Sequence, residues 1–346
     1  MADSSSASAR EMNRDLVLSV NAVLDVRYQL WDPNTNLVLK IAQALASVDS
    51  EYSVICADDD FIVPRAADQC MQLLDGNTDY VMAHGRTVSV FPVPDSSKGF
   101  RSRLWTYYLP QQSIDGVDAR SRLRQHLANY RATFYSVHRR LDLMRNMQLT
   151  SRITGGYRFA ELYSSCLSVI HGKSAYLDIP YYIRPRHPNS WGQVTPSWSS
   201  LLGSDDYSRR FVEFRDSLAD ELANVTGLSA TEARDFVEDA FLSYLAHALN
   251  DTSRDSVGHG GLDAMQRAAR QVWSRISGVM TPLVQRGLAI MVQTILETPT
   301  RAYIEQNLSR KQGYMSIQEL LDPGSPFRAD FLPICEQLIR YPCVPG

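Results

Sequence analysis

The chain has 346 residues, 44% apolar and 21% charged, which is enough length and apolar content for a full core and excludes wholesale disorder. Its formal charge is −3, and the basic residues, almost all arginine, are scattered rather than striped, which argues against nucleic acid as a partner. No apolar segment approaches the roughly 20 residues that span a bilayer.

Along the chain, Ser4 to Ser8 reads as a small-residue tail, and a helix is expected from about Ala9 to Leu24. Asp25 to Trp31 alternates and is rich in β-formers, so it reads as a strand closed by the Asp32-Pro33-Asn34 turn. Leu37 to Ala46 has helical spacing, with Asn36 as its cap. Val54 to Ala57 then reads as a buried strand, ending in the consecutive carboxylates Asp58, Asp59 and Asp60. In open α/β sheets the carboxyl ends of strands carry the chemistry. If the chain stays extended, Asp58 and Asp60 face one side and Asp59 the other. Such a pair can share a hard divalent ion, Mg²⁺ or Mn²⁺, with phosphate oxygens completing the shell. The competing reading is an acidic turn capping the next helix, which has Pro64 in its first turn and Ala66 to Leu74 as its body. A strand at Tyr80 to Ala83 and a Pro/Ser-rich loop from Pro92 to Gly99 follow, and the poorly patterned stretch around Tyr107-Tyr108 reads as a flap.

Beyond about Trp198 the pattern turns helical. Tyr207 to Leu222 is amphipathic, and Ser229 with Glu232 forms a capping box that opens a helix to Leu249. Helices over Leu262 to Ser277 and Leu283 to Leu296 follow the Gly258 to Gly261 hinge. The expected division is therefore 1–197 and a mainly helical 198–346, the second part a candidate for self-association. The longest apolar stretch, Val279 to Leu296, is interrupted by Pro282, Gln285, Arg286 and Gln293. With no signal peptide, a cytoplasmic protein is expected, at most peripheral to the inner membrane surface. The cysteines form no CxxC pair, so neither a disulfide framework nor a zinc site is indicated.

Several of these segments carry a resemblance. Asn36 through Lys40, Ala44-Leu45, Tyr52 to Phe61, Pro64, Leu74, Tyr80 and Gly85 together resemble the nucleotide-sugar half of bacterial GT-A fold glycosyltransferases. The likeness is to a family-2-related subgroup with an Ala-Asp-Asp-Asp-Phe signature, the DXD motif. Arg139-Arg140, Tyr157 to Leu162, Gly172-Lys173 and Arg184 to His187 resemble the second half of the same domain, so the likeness runs to about residue 195. The resemblance implies an α/β, Rossmann-like, mostly parallel sheet flanked by helices. Met1 to Ser5 matches only the end of the family's second strand, so the family's first βα unit has no counterpart in this sequence.

The resemblance also implies roles. Asp58 and Asp60 would hold Mn²⁺ or Mg²⁺, completed by His187, with Asp59 reaching donor hydroxyls. Asp3, Lys40 and Arg86 would contact the nucleotide-sugar donor, and Arg184 and Arg186 its phosphates. Glu161 would be the base that takes the acceptor hydroxyl proton. The bland counterparts are a solvated face for Lys40, a loop histidine for His187 and a helix-start acid for Glu161. The implied function is transfer of a sugar to a carbohydrate, lipid-linked or small-molecule acceptor. A degenerate scaffold without turnover, or a nucleotidyl or phosphoryl transferase reusing the acidic site, are the alternatives.

Overall fold

The computed structural model describes residues 1–21, 23–95, 99–105, 112–153, 156–185, 195–255 and 321–340. Arg186, His187, the Tyr107-Tyr108 flap, the Gly258 to Gly261 hinge and the two helices expected after it lie outside these residues.

The chain opens with a βαβ unit: β1 (Ala2–Asp3), α1 (Ala7–Val20) and β2 (Gln29–Leu30), with β1 and β2 parallel. The strand reading of Met1 to Ser5 is therefore the one observed, while the strand expected over Asp25 to Trp31 shortens to two residues. Helix α2 (Leu37–Ala46) starts where its cap dictates: Asn36 Oδ1 accepts from the backbone N–H groups of Val38 at 2.9 Å and Leu39 at 3.3 Å.

The main sheet has the strand order β3 (Tyr52–Ser53), β7 (Val137–Arg139), β5 (Tyr80–Asp95), β8 (Lys173–Pro185), β4 (Phe61–Ile62), with β6 (Gly99–Trp105) paired to β5. Helices α3 (Pro64–Gly76), α4 (Ala119–Ala128), α5 (Arg140–Thr150) and α6 (Gly156–His171) flank it. Met82 and Ala83, successive residues of β5, belong to different core clusters, one shared with α6 and the other with α3. Alternating side chains on one strand thus meet helices on both faces, as the α/β class requires.

The sheet is mixed rather than mostly parallel. Among the described residues only the β5–β8 ladder of this sheet is parallel; β3–β7, β5–β7, β4–β8 and β5–β6 are antiparallel. The parallel ladder is the one crossed by helices, because parallel neighbours need a long connection. It also demands close approach at Gly85, where a Cβ would come 2.5 Å from the Ile179 carbonyl oxygen. The loop expected over Pro92 to Gly99 is instead strand as far as Asp95 and again from Gly99. Pro92 and Pro94 lie in the part of β5 that pairs with β6, opposite Ser102 and Phe100.

In the helical part, α7 (Trp198–Leu202), α8 (Tyr207–Thr226) and α9 (Ala230–Asp255) continue the chain, and α10 (Arg328–Arg340) follows. The capping box is present: Ser229 N–H donates to Glu232 Oε2 at 3.0 Å and Glu232 N–H to Ser229 Oγ at 3.3 Å. Helices α7, α8 and α9 share one apolar cluster with α4 and α6, in which Phe159 meets Trp198, Phe214 and Phe241 at ring distances of 5.2, 5.4 and 6.2 Å. Each such buried aromatic contributes about 1.5–3 kcal/mol through area removed from water. Phe331 of α10, fully buried, joins the cluster beneath α3. Among the described residues no helix is long and apolar enough to cross a membrane.

Two buried histidines, His126 and His138, with half-buried His84, make this core sensitive to acid. Burial pushes the imidazole of His126 down to about 3 and that of His138 to about 4, and His84 is lowered for the same reason. His138 is held as the Nε2–H tautomer by its 2.9 Å bond to the Thr133 carbonyl. Above pH 6.5 both folded and unfolded imidazoles are neutral and this stability is fully present. As pH falls from 6.5 towards 4 the unfolded chain takes up protons that the folded chain refuses, so stability is lost across that window. By pH 4.5 the loss is about 3 kcal/mol for each of His126 and His138. Urea midpoints at pH 7.5 and 4.5 should show it, and His138→Gln, which retains an N–H for Thr133, should flatten the slope. An unchanged slope would refute the assignment.

Candidate active site

The site forms where β4, β8 and α6 converge. In the antiparallel β4–β8 pair, Phe61 lies opposite Ile183 and Ile62 opposite Tyr182. Asp60, one residue before Phe61, therefore comes level with Arg184, one residue past Ile183. The acidic run does not continue a strand: regular pairing stops at Ser53, Val54 is exposed, and Asp58 and Asp59 sit in a turn. The buried strand expected over Val54 to Ala57 is thus absent, and extended-chain alternation does not govern the three carboxylates. Asp58 is exposed, Asp59 half-buried and Asp60 buried.

Asp60 accepts a hydrogen bond from the Tyr182 hydroxyl. The Tyr182 ring stacks on Tyr135 at 4.4 Å and 15°. Burial and the neighbouring charge of Asp60 push the hydroxyl of Tyr182 well above the ordinary phenol range and raise that of Tyr135 as well, so both stay protonated. Arg184, although burial works against its charge, is held cationic by the neighbouring carboxylates of Asp60 and Glu161. The charge of Arg184 is thereby felt by two carboxylates that are distant from each other in sequence.

Glu161 lies in the second turn of α6, which begins at Gly156, and the first turn contains no acid. The helix-start reading of Glu161 is therefore not what is observed; the family-based reading concerns a side chain facing the site. Burial raises its carboxyl above the usual glutamate range, opposed by hydrogen bonds from Tyr130 and Tyr157 and by the charges of Arg158 and Arg184. The Tyr130 hydroxyl donates to Oε1 at 3.2 Å. A carboxyl with a raised pKa and a fixed orientation has the properties expected of a general base.

Asp3 and Lys40 meet at a second place, the carboxyl end of β1. Asp3 is buried, accepting from Ser5 N–H at 2.7 Å, Asn13 Nδ2 at 3.0 Å and the Tyr28 hydroxyl at 2.5 Å. Its bonds to Ser5 and Tyr28 hold it well below the ordinary carboxylate range. Lys40 Nζ donates to Ser4 Oγ at 2.9 Å, one residue from Asp3. Arg86 is engaged elsewhere, in an ion pair with exposed Asp178 on the neighbouring strand. The structure thus brings Asp60, Arg184 and Glu161 together, sets Asp3 with Lys40, and ties Arg86 to Asp178. Sequence reading missed Tyr130, Tyr135, Tyr157 and Tyr182; the only signal was the density of tyrosines in the segments around the site.

The carboxylates of Asp58 to Asp60 are hard oxygen donors of the kind Mg²⁺ and Mn²⁺ select. Among the described residues no three His, Cys, Asp or Glu side chains converge on one metal position. The donor chemistry fits such an ion when ligand oxygens from outside these side chains complete its shell.

No family model matches the chain, and no curated protein shows significant similarity. Solved structures do. The 1–349 segment of the glycosyltransferase TarS of S. aureus, in complex with UDP-GlcNAc, superposes with a TM-score of 0.50 at 12% identity, over 88% of this chain and 82% of that one. A further TarS 1–349 structure aligns at 0.47 and 14% identity, over 88% and 81%. The chain shares the fold of the first of these structures.

Proposed function

We propose that the chain is a metal-dependent glycosyltransferase that moves a sugar from a nucleotide-sugar donor to a glycan, lipid-linked or small-molecule acceptor, in surface polysaccharide or glycoconjugate synthesis. The observation that carries this reading is the β4–β8 pairing that brings buried Asp60 level with Arg184 beside the Asp58 to Asp60 turn, within electrostatic reach of Glu161 on α6. The fold shared with a structure holding UDP-GlcNAc supports it.

The residues divide the chemistry as transfer requires. The acceptor oxygen attacks the anomeric carbon, the bond from that carbon to the diphosphate breaks, and the acceptor proton passes to Glu161. Negative charge gathers on the departing diphosphate, where Arg184 supplies fixed positive charge in a partly buried site. Asp58 and Asp60 would hold the divalent ion, which when bound supplies further charge stabilisation to the diphosphate. The DXD assignment of Asp58 to Asp60 and the family-2 relationship belong to this proposal. So do the placement of Asp3 and Lys40 against the donor, a role for Asp59 at its hydroxyls, and Arg186 and His187 as partners of phosphate and metal.

Calorimetric titration of the full chain with UDP-GlcNAc and other sugar nucleotides, with and without Mn²⁺, tests the reading. Metal-dependent binding is expected. A well-folded sample that binds none of them would favour the scaffold alternative, which the divergent burial of Asp58 and Asp60 motivates.

A further inference from the structure

Tyr130 lies in the connection between α4 and β7, where neither helix nor strand fixes its side chain. It is fixed instead by α6. Its hydroxyl reaches Glu161 Oε1 at 3.2 Å and Ser165 Oγ at 3.5 Å. Glu161 and Ser165 are four residues apart on a helix and so lie on one face, one turn above the other. Ser165, fully buried, also accepts the Thr133 backbone N–H at 3.2 Å. The 130–133 segment is thereby pinned to that face of α6 at two points, one of them the carboxylate itself.

The other side of Tyr130 is braced by the helical part of the chain. Its ring meets Tyr244 of α9 edge-on at 5.0 Å and 71°, and His126 of α4 at 5.2 Å and 65°. Tyr244 is held in turn: its hydroxyl accepts from Trp198 Nε1 at 2.8 Å, and the two rings meet at 5.7 Å and 81°. Trp198 packs edge-on against Phe159, two residues before Glu161 on α6. A closed loop of contacts runs from α6 through Trp198, Tyr244 and Tyr130 back to α6.

We propose that Tyr130 is a positioning residue for Glu161, and that Tyr244 and Trp198 hold it there, so that the helical region sets the orientation of the carboxylate. This rests on the reading of Glu161 as the base. The reason is chemical as well as geometric. A phenol O–H donated to a carboxylate stabilises the charged form, the form that takes a proton, and fixes the orientation of the group. The other groups acting on Glu161 are Tyr157 and Arg158 on its own helix, Arg184 on β8, and Tyr135 and Tyr244. Tyr130 links the carboxylate through a hydrogen bond to the ring contacts that lead into α7 and α9.

The test is the titration of Glu161 in the full chain, followed by NMR of a ¹³C-carboxyl glutamate label and assigned by the signal lost in Glu161→Gln. In Tyr130→Phe, which retains the ring, the Glu161 titration should move upward by about one pH unit. Tyr244→Ala should move it in the same direction by less, because it removes the brace and not the bond. With sugar-nucleotide substrate, Tyr130→Phe should lower kcat by about ten- to a hundredfold and shift the acid limb of the pH profile by the same interval, leaving donor Kd within about twofold. A Glu161 titration unmoved by Tyr130→Phe overturns the positioning role, whatever the activity. A shifted titration combined with unimpaired transfer by Glu161→Gln overturns the base assignment instead, while supporting the hold of Tyr130 on the carboxylate.

Discussion

Asp60→Ala is expected to abolish the metal-dependent part of donor binding, weakening the affinity for a sugar nucleotide in Mn²⁺ by roughly a hundredfold or more while leaving the weaker metal-free binding in place. Three effects act at this position and can be separated. The first is loss of a hard oxygen ligand, which Asp60→Asn shares in large part, because a neutral amide oxygen is a poorer partner for a divalent ion than a carboxylate. The second is a stability cost: Tyr182 is buried and donates to Asp60, so removing the acceptor leaves a buried hydroxyl unsatisfied at about 1–3 kcal/mol. Asp60→Asn keeps an acceptor and should avoid most of that cost. The third concerns Arg184, which loses one of its two carboxylate neighbours and becomes freer to engage phosphate. If metal-free binding tightens slightly in Asp60→Ala while the Mn²⁺ effect disappears, all three effects are accounted for. The checking measurement is calorimetry with and without Mn²⁺, run beside thermal melting of each variant. Equal Mn²⁺ enhancement in wild type and Asp60→Ala would sink the metal assignment.

The sequence could show local events because local chemistry decides them. Asn36 caps α2, Pro64 opens α3, and Ser229 and Glu232 cap α9, each within a few residues of the partner it satisfies. The alternation of strands and helices gave the layering. Pairing direction was not legible, because β4 meets β8 across 122 positions, as in the Asp60–Tyr182 contact, and nothing near Phe61 specifies an antiparallel neighbour. The same limit applies to the site. The Asp58 to Asp60 run was visible as a cluster, yet its division into exposed and buried carboxylates follows from a turn and from Tyr182, both set by distant chain. Arg86 looked like a phosphate ligand in isolation, and only the parallel ladder to β8 reveals Asp178 as its partner. Tyr130 could not be singled out at all: its role depends on α6, α7 and α9 arriving at one point.

Glu161→Gln should reduce transfer by about 10²–10⁴-fold with donor affinity little changed. Glutamine has the same shape and keeps an oxygen for the Tyr130 and Tyr157 hydroxyls, so the hydrogen bonds that orient the side chain persist in outline. What disappears is the capacity to take a proton and the negative charge beside Arg184. The second loss has its own sign: with Glu161 neutral, Arg184 is opposed by one carboxylate fewer, and donor phosphate should bind equally well or better. In the wild type, burial sets the Glu161 pKa above the ordinary glutamate range, so kcat/KM should fall on the acid side at a pH above that range, where the base becomes protonated. Glu161→Gln should lose this acid limb altogether, leaving a low rate that no longer reports a carboxyl titration. Steady-state kinetics across pH, with donor Kd measured separately, checks both effects. Parallel loss of transfer and donor binding would instead make Glu161 a binding or structural group. An acid limb that survives in Glu161→Gln would place the base on another carboxyl, and Asp59, half-buried beside the same site, would be the next residue to replace.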